Sequence, residues 1–427
     1  MRAQSQPKTI GILVGGGPAP GINSVIHAVT ITAINSGYKV YGILEGFKHL
    51  VRGRPEGQPL TIRDVSRIHL KGGTILKTSR VNPTVSEETL RNSVCALKAA
   101  GITHLVSIGG DDTAFSAYTV VRYAREKMGL SLRSVHTPKT IDNDLPLPEG
   151  IPTFGFETAR EVGMHIVENI MEDALSTVRW FIVSAMGRKA GHLALGIGKS
   201  AGATLTLIPE EWRGEPIRLQ QVSDVICGSI IKRLANGQGY GVALVAEGVM
   251  EMTDRRDLEF LETIERDDYG HPRMAEVNSA AIIKHEVRAT LGHLGITLTL
   301  VDKEVGYELR CADPCAFDID YTRSLGEAAV AFLDQGGTDA MITIQKNQAV
   351  PVPYEQLMDP ETGRTEIRSV NIDSFTYRSA RKFMVRLDEK DFQDRDQLEK
   401  LASCTNLTPE AFAQRFGYLA GVAPRPF

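Results

Sequence analysis

Residues 9–21 read TIGILVGGGPAPG, an apolar run that passes directly into a stretch rich in glycine and proline. The run predicts a strand over 9–14, because six residues without a charged side chain are typical of a strand buried on both faces. A helical pattern follows over 22–36, and a second apolar run over 39–44 predicts the next strand. Buried strands that alternate with helices indicate a mostly parallel sheet covered on both sides.

The same alternation of strands and helices begins again near Gly155. Apolar runs at 178–184, 203–208 and 241–246 predict the strands of this second block, and a run at 104–108 predicts a further strand of the first. We therefore expect an α/β protein of two similar three-layer α/β/α lobes with mostly parallel sheets, facing a shared cleft. Ligands of such sheets bind beyond the carboxyl ends of the strands, so the loops at these ends are the first candidates for a site.

The 427 residues exceed what a single hydrophobic core normally organises, which also favours several lobes. We expect one lobe over 1–153 with 310–350 and a second lobe over 154–309. A C-terminal extension over 351–427 has a more polar and charged composition. Within this extension, Thr408 followed by proline predicts the N-cap of a helix.

Composition excludes several classes of function. The net charge is −4 and no segment concentrates basic residues, so nucleic acid is not an expected partner. No apolar stretch approaches the roughly 18 residues that cross a bilayer. The first apolar run is too short for a signal peptide, so we expect a cytoplasmic protein. The five cysteines are scattered, and Cys311 and Cys315 lack the further ligands that a closed zinc site requires.

The stretch 15–21, GGGPAPG, lies between a predicted strand and a predicted helix. Glycine has no side chain, so a phosphate can approach the backbone N–H groups at the start of the helix, where the helix dipole favours anions. The stretch matches neither GxGxxG nor the Walker pattern. A tight turn that needs a positive φ explains the glycines equally well, and the sequence leaves both interpretations open.

A second pair of glycines precedes two acidic residues in 107–113, SIGGDDT. Asp111 and Asp112 put two carboxylates at the end of a predicted strand, where a bound phosphate would require a hard cation such as Mg²⁺. Alternatively, one of the two caps the helix predicted over 113–124. Adjacent carboxylates repel each other, so we do not expect both to act as caps.

The most informative stretch is 137–145, TPKTIDNDL. Its proline and the compact Asp-Asn-Asp sequence predict a rigid loop in place of a regular element. Lys139 can neutralise phosphate charge, while Asp142 and Asp144 can accept a proton or hold a metal ion. A calcium loop is excluded, because the EF-hand pattern requires further ligands and a distal glutamate.

Three shorter motifs follow: MGR at 186–188, AEG at 246–248 and GYELR at 306–310. An arginine such as Arg188 offers a planar fork of donors for the oxygens of a transferring phosphoryl group. Arg179 lies near the other end of the same predicted strand, about 25–30 Å away along an extended chain. It is therefore either a surface charge or a contact to a neighbouring subunit. Each of these residues, taken alone, could be ordinary surface.

In this order, the motifs GGDDT, PKTIDND, MGR, AEG and GYELR resemble those of the phosphofructokinase family, from the first strand to about Arg310. The resemblance implies two similar α/β lobes with the active site between them, in a homodimer or homotetramer. It assigns 1–153 with 310–350 to the phosphoryl donor and Mg²⁺, and 154–309 to the sugar phosphate.

The resemblance also implies a role for each matching residue. Asp142 is similar to the family's proton acceptor, and Arg188 to the residue that stabilises the moving phosphoryl group. Asp111 matches the magnesium position, with Asp144 as a further candidate. The implied donor contacts are Gly16, Arg80, Asp112 and Lys139, and the last two are also implied in catalysis. The implied substrate contacts are Thr140, Ile141, Asp142, Arg179, Met186, Gly187, Arg188, Glu247, Tyr307 and Arg310, with Arg179 donated across a subunit interface.

Two positions predict the phosphoryl donor. ATP-using relatives of the bacterial type carry glycines where this chain has Asp112 and Lys139. The Asp112 carboxylate would add bulk and negative charge where the α-phosphate of ATP lies, whereas Lys139 can neutralise the compact charge of pyrophosphate. We therefore expect a Mg²⁺-dependent, reversible glycolytic enzyme that uses pyrophosphate to phosphorylate the 1-hydroxyl of fructose 6-phosphate. Two alternatives stay open: an ATP-dependent 6-phosphofructokinase, and a non-catalytic regulatory subunit that binds sugar phosphates.

Overall fold

The computed structural model describes residues 8–254, 256–257, 278–358 and 365–421, which form two compact units. The first unit comprises the described residues up to Ala159 together with those of Tyr307–Arg368. The second comprises the described residues from Arg160 to Gly306 and those from Ser369 onward. Each unit has its own β-sheet.

The strands, in chain order, are β1 (Thr9–Val14), β2 (Lys39–Ile43), β3 (Gly57–Pro59), β4 (His104–Gly109), β5 (Arg133–Pro138), β6 (Trp180–Ala185), β7 (Leu205–Leu207), β8 (Gly241–Ala246), β9 (Leu300–Val305), β10 (Ala340–Gln345) and β11 (Gln348–Pro353). The first unit has a seven-stranded sheet in the order β11-β10-β5-β4-β1-β2-β3, and the second a four-stranded sheet in the order β7-β8-β6-β9. Neighbouring strands are parallel, except for β2 with β3 and β10 with β11 at the two edges of the larger sheet.

The α-helices are α1 (Ile22–Asn35), α2 (Ile62–Val65), α3 (Glu87–Ala99), α4 (Asp111–Met128), α5 (Phe156–Thr177), α6 (His192–Ala201), α7 (Leu219–Ala235), α8 (Glu247–Glu251), α9 (Ser279–His293), α10 (Tyr307–Arg310), α11 (Ala316–Asp334), α12 (Phe375–Lys382), α13 (Glu389–Gln393), α14 (Arg395–Ala402) and α15 (Pro409–Phe416). Among these described helices, none combines the length and the apolar character needed to cross a lipid bilayer. All five cysteines carry free thiols.

Strand β1 explains how the sequence builds the larger sheet. Ile10, Ile12 and Val14 belong to the core formed with α1 and α11, whereas Leu13 belongs to the core formed with α3 and α4. Successive side chains of a strand point to opposite faces, so a strand covered by helices on both faces needs apolar residues in an almost unbroken run. The predicted α/β fold with two mostly parallel sheets is confirmed.

The predicted start of one strand, at residue 178, is wrong, because β6 begins two residues later at Trp180. Val178 has a φ of 48°, which a β-branched residue rarely adopts and which no strand contains. The N–H of Arg179 donates back to the carbonyl of Ala174 at 3.2 Å. These residues therefore still terminate α5, although their side chains are typical of a strand.

From Ser369 onward, the C-terminal segment packs into the second unit, whereas the part up to Arg368 belongs to the first. The predicted N-cap is confirmed, since Thr408 Oγ1 accepts the N–H of Ala411 at 3.2 Å. Phe412 in α15 is completely buried. Asp224 of α7, also buried, accepts a hydrogen bond from the guanidinium of Arg415 at 2.9 Å. The polar composition of this segment therefore conceals an apolar face that completes a core.

Phe412→Ala should lower the free energy of unfolding by about 3–5 kcal/mol, because the substitution leaves a cavity in the second unit. Phe383 of the same unit is 79% exposed and is the matched control. We expect Phe383→Ala to change stability by at most about 0.5 kcal/mol. Urea unfolding followed by circular dichroism measures both variants, and equal losses would contradict the packing described above.

Candidate active site

The predicted site residues divide between the two units. The first unit holds Gly16, Arg80, Asp111, Asp112, Lys139, Thr140, Ile141, Asp142, Asp144, Tyr307 and Arg310. The second unit holds Arg179, Met186, Gly187, Arg188 and Glu247. Within each unit, most of these residues follow the carboxyl ends of parallel strands, which is where ligands of such sheets bind.

The glycine-rich loop 15–21 connects β1 to α1. Gly16 has a φ of 81°, and Gly21, the N-cap residue of α1, has a φ of 95°. Residues with a side chain rarely adopt these angles. The N–H of Gly16 donates to Ser79 O at 3.0 Å, which ties the loop to the segment that carries Arg80. The tight-turn interpretation is therefore correct, and the same side-chain-free backbone also suits a phosphate.

Lys139 is buried against this loop. Its Nζ donates to Gly17 O at 2.8 Å, and a Cβ on Gly16 would lie 3.3 Å from the same Nζ. Burial lowers the pKa of Lys139 to about 8; the guanidinium groups of Arg310 and Arg80 act in the same direction, and the carboxylates of Asp142 and Asp144 partly oppose the shift. A poorly solvated ammonium beside two arginines gains much from a bound anion.

Arg310 also lies at the glycine loop. Its Cζ is 4.8 Å from the ring centroid of Tyr307, within the range of a cation–π contact, and 3.7 Å from the position that a Cβ on Gly17 would take. Tyr307 itself is 61% exposed. The structure therefore brings Arg310, predicted to contact the sugar phosphate, close to Lys139, predicted to contact the donor.

Asp111 and Asp112 form the first turn of α4. The predicted helix start at Thr113 is wrong, because α4 begins at Asp111 and its N-cap residue is Gly110. Neither carboxylate therefore occupies the capping position. The helix dipole favours negative charge in the first turn, and both residues lie directly beyond the carboxyl end of β4.

His136 joins the ends of β4 and β5 from inside the core. Its Nε2 lies 2.9 Å from Gly109 O, and since a carbonyl only accepts, Nε2 carries the proton. Its Nδ1 then accepts from the hydroxyl of Ser107 at 2.8 Å. The N–H of Lys139 donates to the same Gly109 O at 2.8 Å. Burial lowers the pKa of His136 to about 3, so the ring is neutral. Its role is structural, since it links β5 to β4 by hydrogen bonds.

Residues 140–145 form the predicted loop without regular secondary structure. Asn143 has a φ of 56°, a left-handed conformation that asparagine tolerates better than most residues. Thr153 holds the loop, because its N–H donates to Asn143 Oδ1 at 3.0 Å and its hydroxyl donates to Thr140 O at 2.7 Å. The N–H of Asp142 donates to Thr140 Oγ1 at 3.0 Å. These bonds fix the main chain on both sides of the Asp142 carboxylate.

In the second unit, the MGR and AEG motifs meet beyond β6 and β8. Gly187 has a φ of 126°, and its carbonyl accepts the N–H of Gly248 at 3.0 Å. A Cβ on Gly248 would lie 2.6 Å from Arg188 O, so only glycine fits this approach of two loops. Glu247 is buried and begins α8. The structure thus gathers residues 186–188 and Glu247 at the carboxyl ends of two neighbouring strands, β6 and β8.

Arg179 lies at the opposite end of strand β6, on the side where the strands of the smaller sheet begin. It precedes β6, whereas Arg188 follows the carboxyl end of the same strand. A strand of this length spans about 20 Å. The structure therefore does not bring Arg179 and Arg188 to one phosphate within this chain.

Glu210 supports the loop that follows β6 and was not predicted from the sequence. Its Oε1 accepts the N–H of Gly191, at the end of this loop, at 2.9 Å and the N–H of Val370 at 2.9 Å. Burial raises the pKa of the Glu210 carboxyl. Neither Glu210 nor His136 belongs to a motif, because each binds backbone groups whose positions only the folded chain defines.

A metal site made of protein ligands alone is not present in the part of the chain that the structure describes, where no three His, Cys, Asp or Glu side chains gather. Mg²⁺ does not require such a cage, since it is usually held by one or two carboxylates and completes its shell with water and substrate phosphates. Asp111 in the first turn of α4 fits this kind of ion.

A glycine loop, a buried lysine and carboxylates beyond parallel strands are features with which α/β proteins bind phosphates. A family model described as phosphofructokinase matches residues 9–333, well over half of the chain. The chain belongs to the phosphofructokinase family.

Relatives extend this result along nearly the whole chain. The pyrophosphate–fructose 6-phosphate 1-phosphotransferase of Thermotoga maritima is 50% identical over 413 residues, which cover 95% of this chain and 97% of that protein. The protein of the same name from Naegleria fowleri is 48% identical over 421 residues, with 96% and 95% covered. The T-state crystal structure of Pichia pastoris phosphofructokinase matches with a TM-score of 0.67 at 26% identity, covering 82% of this chain and 35% of that one. The expected phosphofructokinase-like fold is confirmed.

Gly15→Ala should destabilise the glycine loop, because the new Cβ would lie 2.4 Å from Thr113 Oγ1 and 2.7 Å from its Cγ2. We expect a loss of about 1–3 kcal/mol, as for other overpacked sites. Thr113→Ala removes both atoms, so the double variant should recover most of the loss. A double-mutant cycle in urea measures this coupling.

Gly292→Ala is the control, since no atom lies within 4 Å of its Cβ position and its backbone is helical. We expect no loss of stability for this variant. Additive effects of Gly15→Ala and Thr113→Ala would show that their contact is not the cause.

Proposed function

We propose that this chain catalyses the reversible, Mg²⁺-dependent transfer of a phosphoryl group from pyrophosphate to the 1-hydroxyl of fructose 6-phosphate. The products are fructose 1,6-bisphosphate and phosphate. Two relatives named for this activity, 50% and 48% identical along nearly their whole lengths, support the proposal. The observation that carries it is the Lys139 ammonium buried against the glycine loop, in a unit whose helix α4 begins with Asp111 and Asp112.

The choice of pyrophosphate follows from charge and space. Pyrophosphate concentrates negative charge on few atoms, and a desolvated ammonium such as that of Lys139 interacts strongly with it. The main chain of Gly16 and Gly17 lets the donor approach closely. The negative charge of Asp112 repels a third phosphate group, so a nucleoside triphosphate is disfavoured as the donor.

The proposed proton acceptor is Asp142. As the sugar 1-hydroxyl oxygen attacks the terminal phosphorus, its proton passes to the Asp142 carboxylate. The bond from this phosphorus to the bridging oxygen breaks, and phosphate leaves with the bonding electrons. Lys139 stabilises the charge that grows on the leaving phosphate. In the reverse direction, Asp142 returns the proton to the sugar oxygen.

The remaining residues bind and orient. Asp111, with Asp144 as a further candidate, would hold Mg²⁺, which when bound neutralises charge on the diphosphate. The Arg188 fork suits the equatorial oxygens of the moving phosphoryl group. The sugar-phosphate contacts are Thr140, Ile141, Met186, Gly187, Glu247, Tyr307 and Arg310, while Arg80 lies near both substrates. Arg179 contacts the substrate of a second copy of the chain in a homodimer or homotetramer.

Asp112→Gly combined with Lys139→Gly tests the donor assignment. We expect kcat/KM with pyrophosphate to fall by about 10²–10³, the range for loss of a group that stabilises transition-state charge. Measurable turnover with ATP should appear, because the added carboxylate is gone. A coupled assay compares both donors with fructose 6-phosphate and with sedoheptulose 7-phosphate, and the two single variants separate the contributions. A wild-type enzyme that uses ATP well and pyrophosphate poorly would refute the assignment.

The pH dependence tests the role of Lys139. Its amine is protonated and positive below its pKa of about 8 and neutral above it, so kcat/KM for pyrophosphate should fall as the pH rises through this value. Arginine keeps its charge in this range, so Lys139→Arg should lose this basic limb even if its overall rate is lower. Pyrophosphate titrates identically with both enzymes. An unchanged basic limb in Lys139→Arg would therefore assign it to another group.

A further inference from the structure

Arg368 contacts the loop that carries Asp142, although it lies beyond residues 9–333 that the family model matches. Its Nε and Nη2 donate to Asn143 O at 3.1 and 3.0 Å. Its Nη1 donates to Ile151 O at 2.6 Å and more weakly to Leu147 O at 3.4 Å. One guanidinium therefore joins both ends of the segment from Asn143 to Ile151.

Asn143 receives more than one bond from Arg368. Its side-chain oxygen also accepts from Arg368 Nη2, and it accepts the N–H of Thr153 as well. The backbone N–H of Arg368 donates to Asp144 O at 2.8 Å. Asn143, with its left-handed backbone, separates Asp142 from Asp144. Arg368 therefore forms hydrogen bonds to the main chain of the two residues that follow Asp142.

The chemistry of these contacts is specific to arginine. The guanidinium is half-buried and donates to the main-chain carbonyl oxygens of Asn143 and Ile151, so its planar fork is matched to fixed directions. A lysine would offer one compact ammonium, which cannot bond both Asn143 and Ile151 in the same way. Asn143 has left-handed backbone angles, which even asparagine adopts less readily than glycine does, so without the fork this segment can relax toward another conformation.

We propose that Arg368 is a positioning residue that holds the Asp142 carboxylate in the geometry required to accept the proton of the sugar hydroxyl. This inference rests on the proposed function and deepens it, because it places part of the catalytic geometry under the control of a residue outside the family motifs. The side chain acts through Asn143 and does not itself meet the reacting atoms.

Arg368→Lys tests the inference in the full chain. We expect kcat to fall by about 10²-fold, the cost of a misplacement of about 1 Å, with both KM values within about twofold of wild type. Arg368→Ala should lose as much, and added guanidinium should restore at least about tenfold by occupying the vacated space. If the alanine variant does not fold, Arg368→Lys carries the test through the split between kcat and KM.

Arg125→Lys is the matched control. Arg125 is also a half-buried arginine of the first unit, and it donates to Thr338 Oγ1 at 3.2 Å and to Asp339 Oδ1 at 3.1 Å, away from the loop. We expect Arg125→Lys to lower the thermal midpoint while kcat stays unchanged.

Four results decide the matter. A fall in kcat confined to Arg368 variants, with guanidinium rescue, supports the inference. Unchanged kcat in Arg368→Lys, beside an active wild type, overturns the inference alone. Equal losses of kcat in the Arg368 and Arg125 variants, in step with stability, also overturn it. A wild type without turnover of pyrophosphate and fructose 6-phosphate overturns the proposed function and the role of Arg368 with it.

Discussion

The hydrogen bond from the Lys139 ammonium to Gly17 O joins two segments that are 122 residues apart in the sequence. It holds the ammonium at a buried position. Burial and the positive charges of Arg310 and Arg80 all lower the pKa of Lys139. Such a cluster is poorly solvated until an anion arrives. The order of strands makes it possible, since β1 delivers the glycine loop, β5 delivers the lysine, and β4 lies between them. The proposed chemistry depends on this concentration of charge.

The loops at the strand ends are held mainly by polar side chains that bond to backbone groups. His136 spans Gly109 and Ser107, Thr153 closes the loop around Asn143, and Glu210 does the same for the loop after β6. A bond to a backbone group fixes the path of the chain and leaves neighbouring side chains available for a substrate. A constellation of reacting groups must be held to within a fraction of an ångström, so these supports matter to the proposed chemistry as much as the motifs do.

Regular elements could be predicted from the sequence where one local rule acts. The unbroken apolar run of β1 and the Thr408 cap of α15 are examples. The strand start at residue 178 was wrong because the helix terminus overrides the side-chain preference of Val178. The start of α4 was wrong because Gly110 takes the capping place that an aspartate usually holds.

The site motifs could be recognised from the sequence because five short motifs follow each other in the order typical of the family. The roles given to the individual residues of these motifs stay predictions. His136, Glu210 and Arg368 were not predictable, since their partners are carbonyl and N–H groups brought close by folding. Arg368 and its partner Asn143 are 225 residues apart in the sequence.

The order in which the chain is synthesised has a consequence for how the two units fold. Strand β10, which pairs with β5 inside the larger sheet, comes from Ala340–Gln345, and the aromatic core of the second unit needs Phe412 and Phe416. Domains of many proteins fold one after another as they leave the ribosome. A nascent chain that ends before β10 lacks both this strand and α15, so it contains neither completed core. Each sheet therefore obtains its last packing partners only when the C-terminal part of the chain has been made.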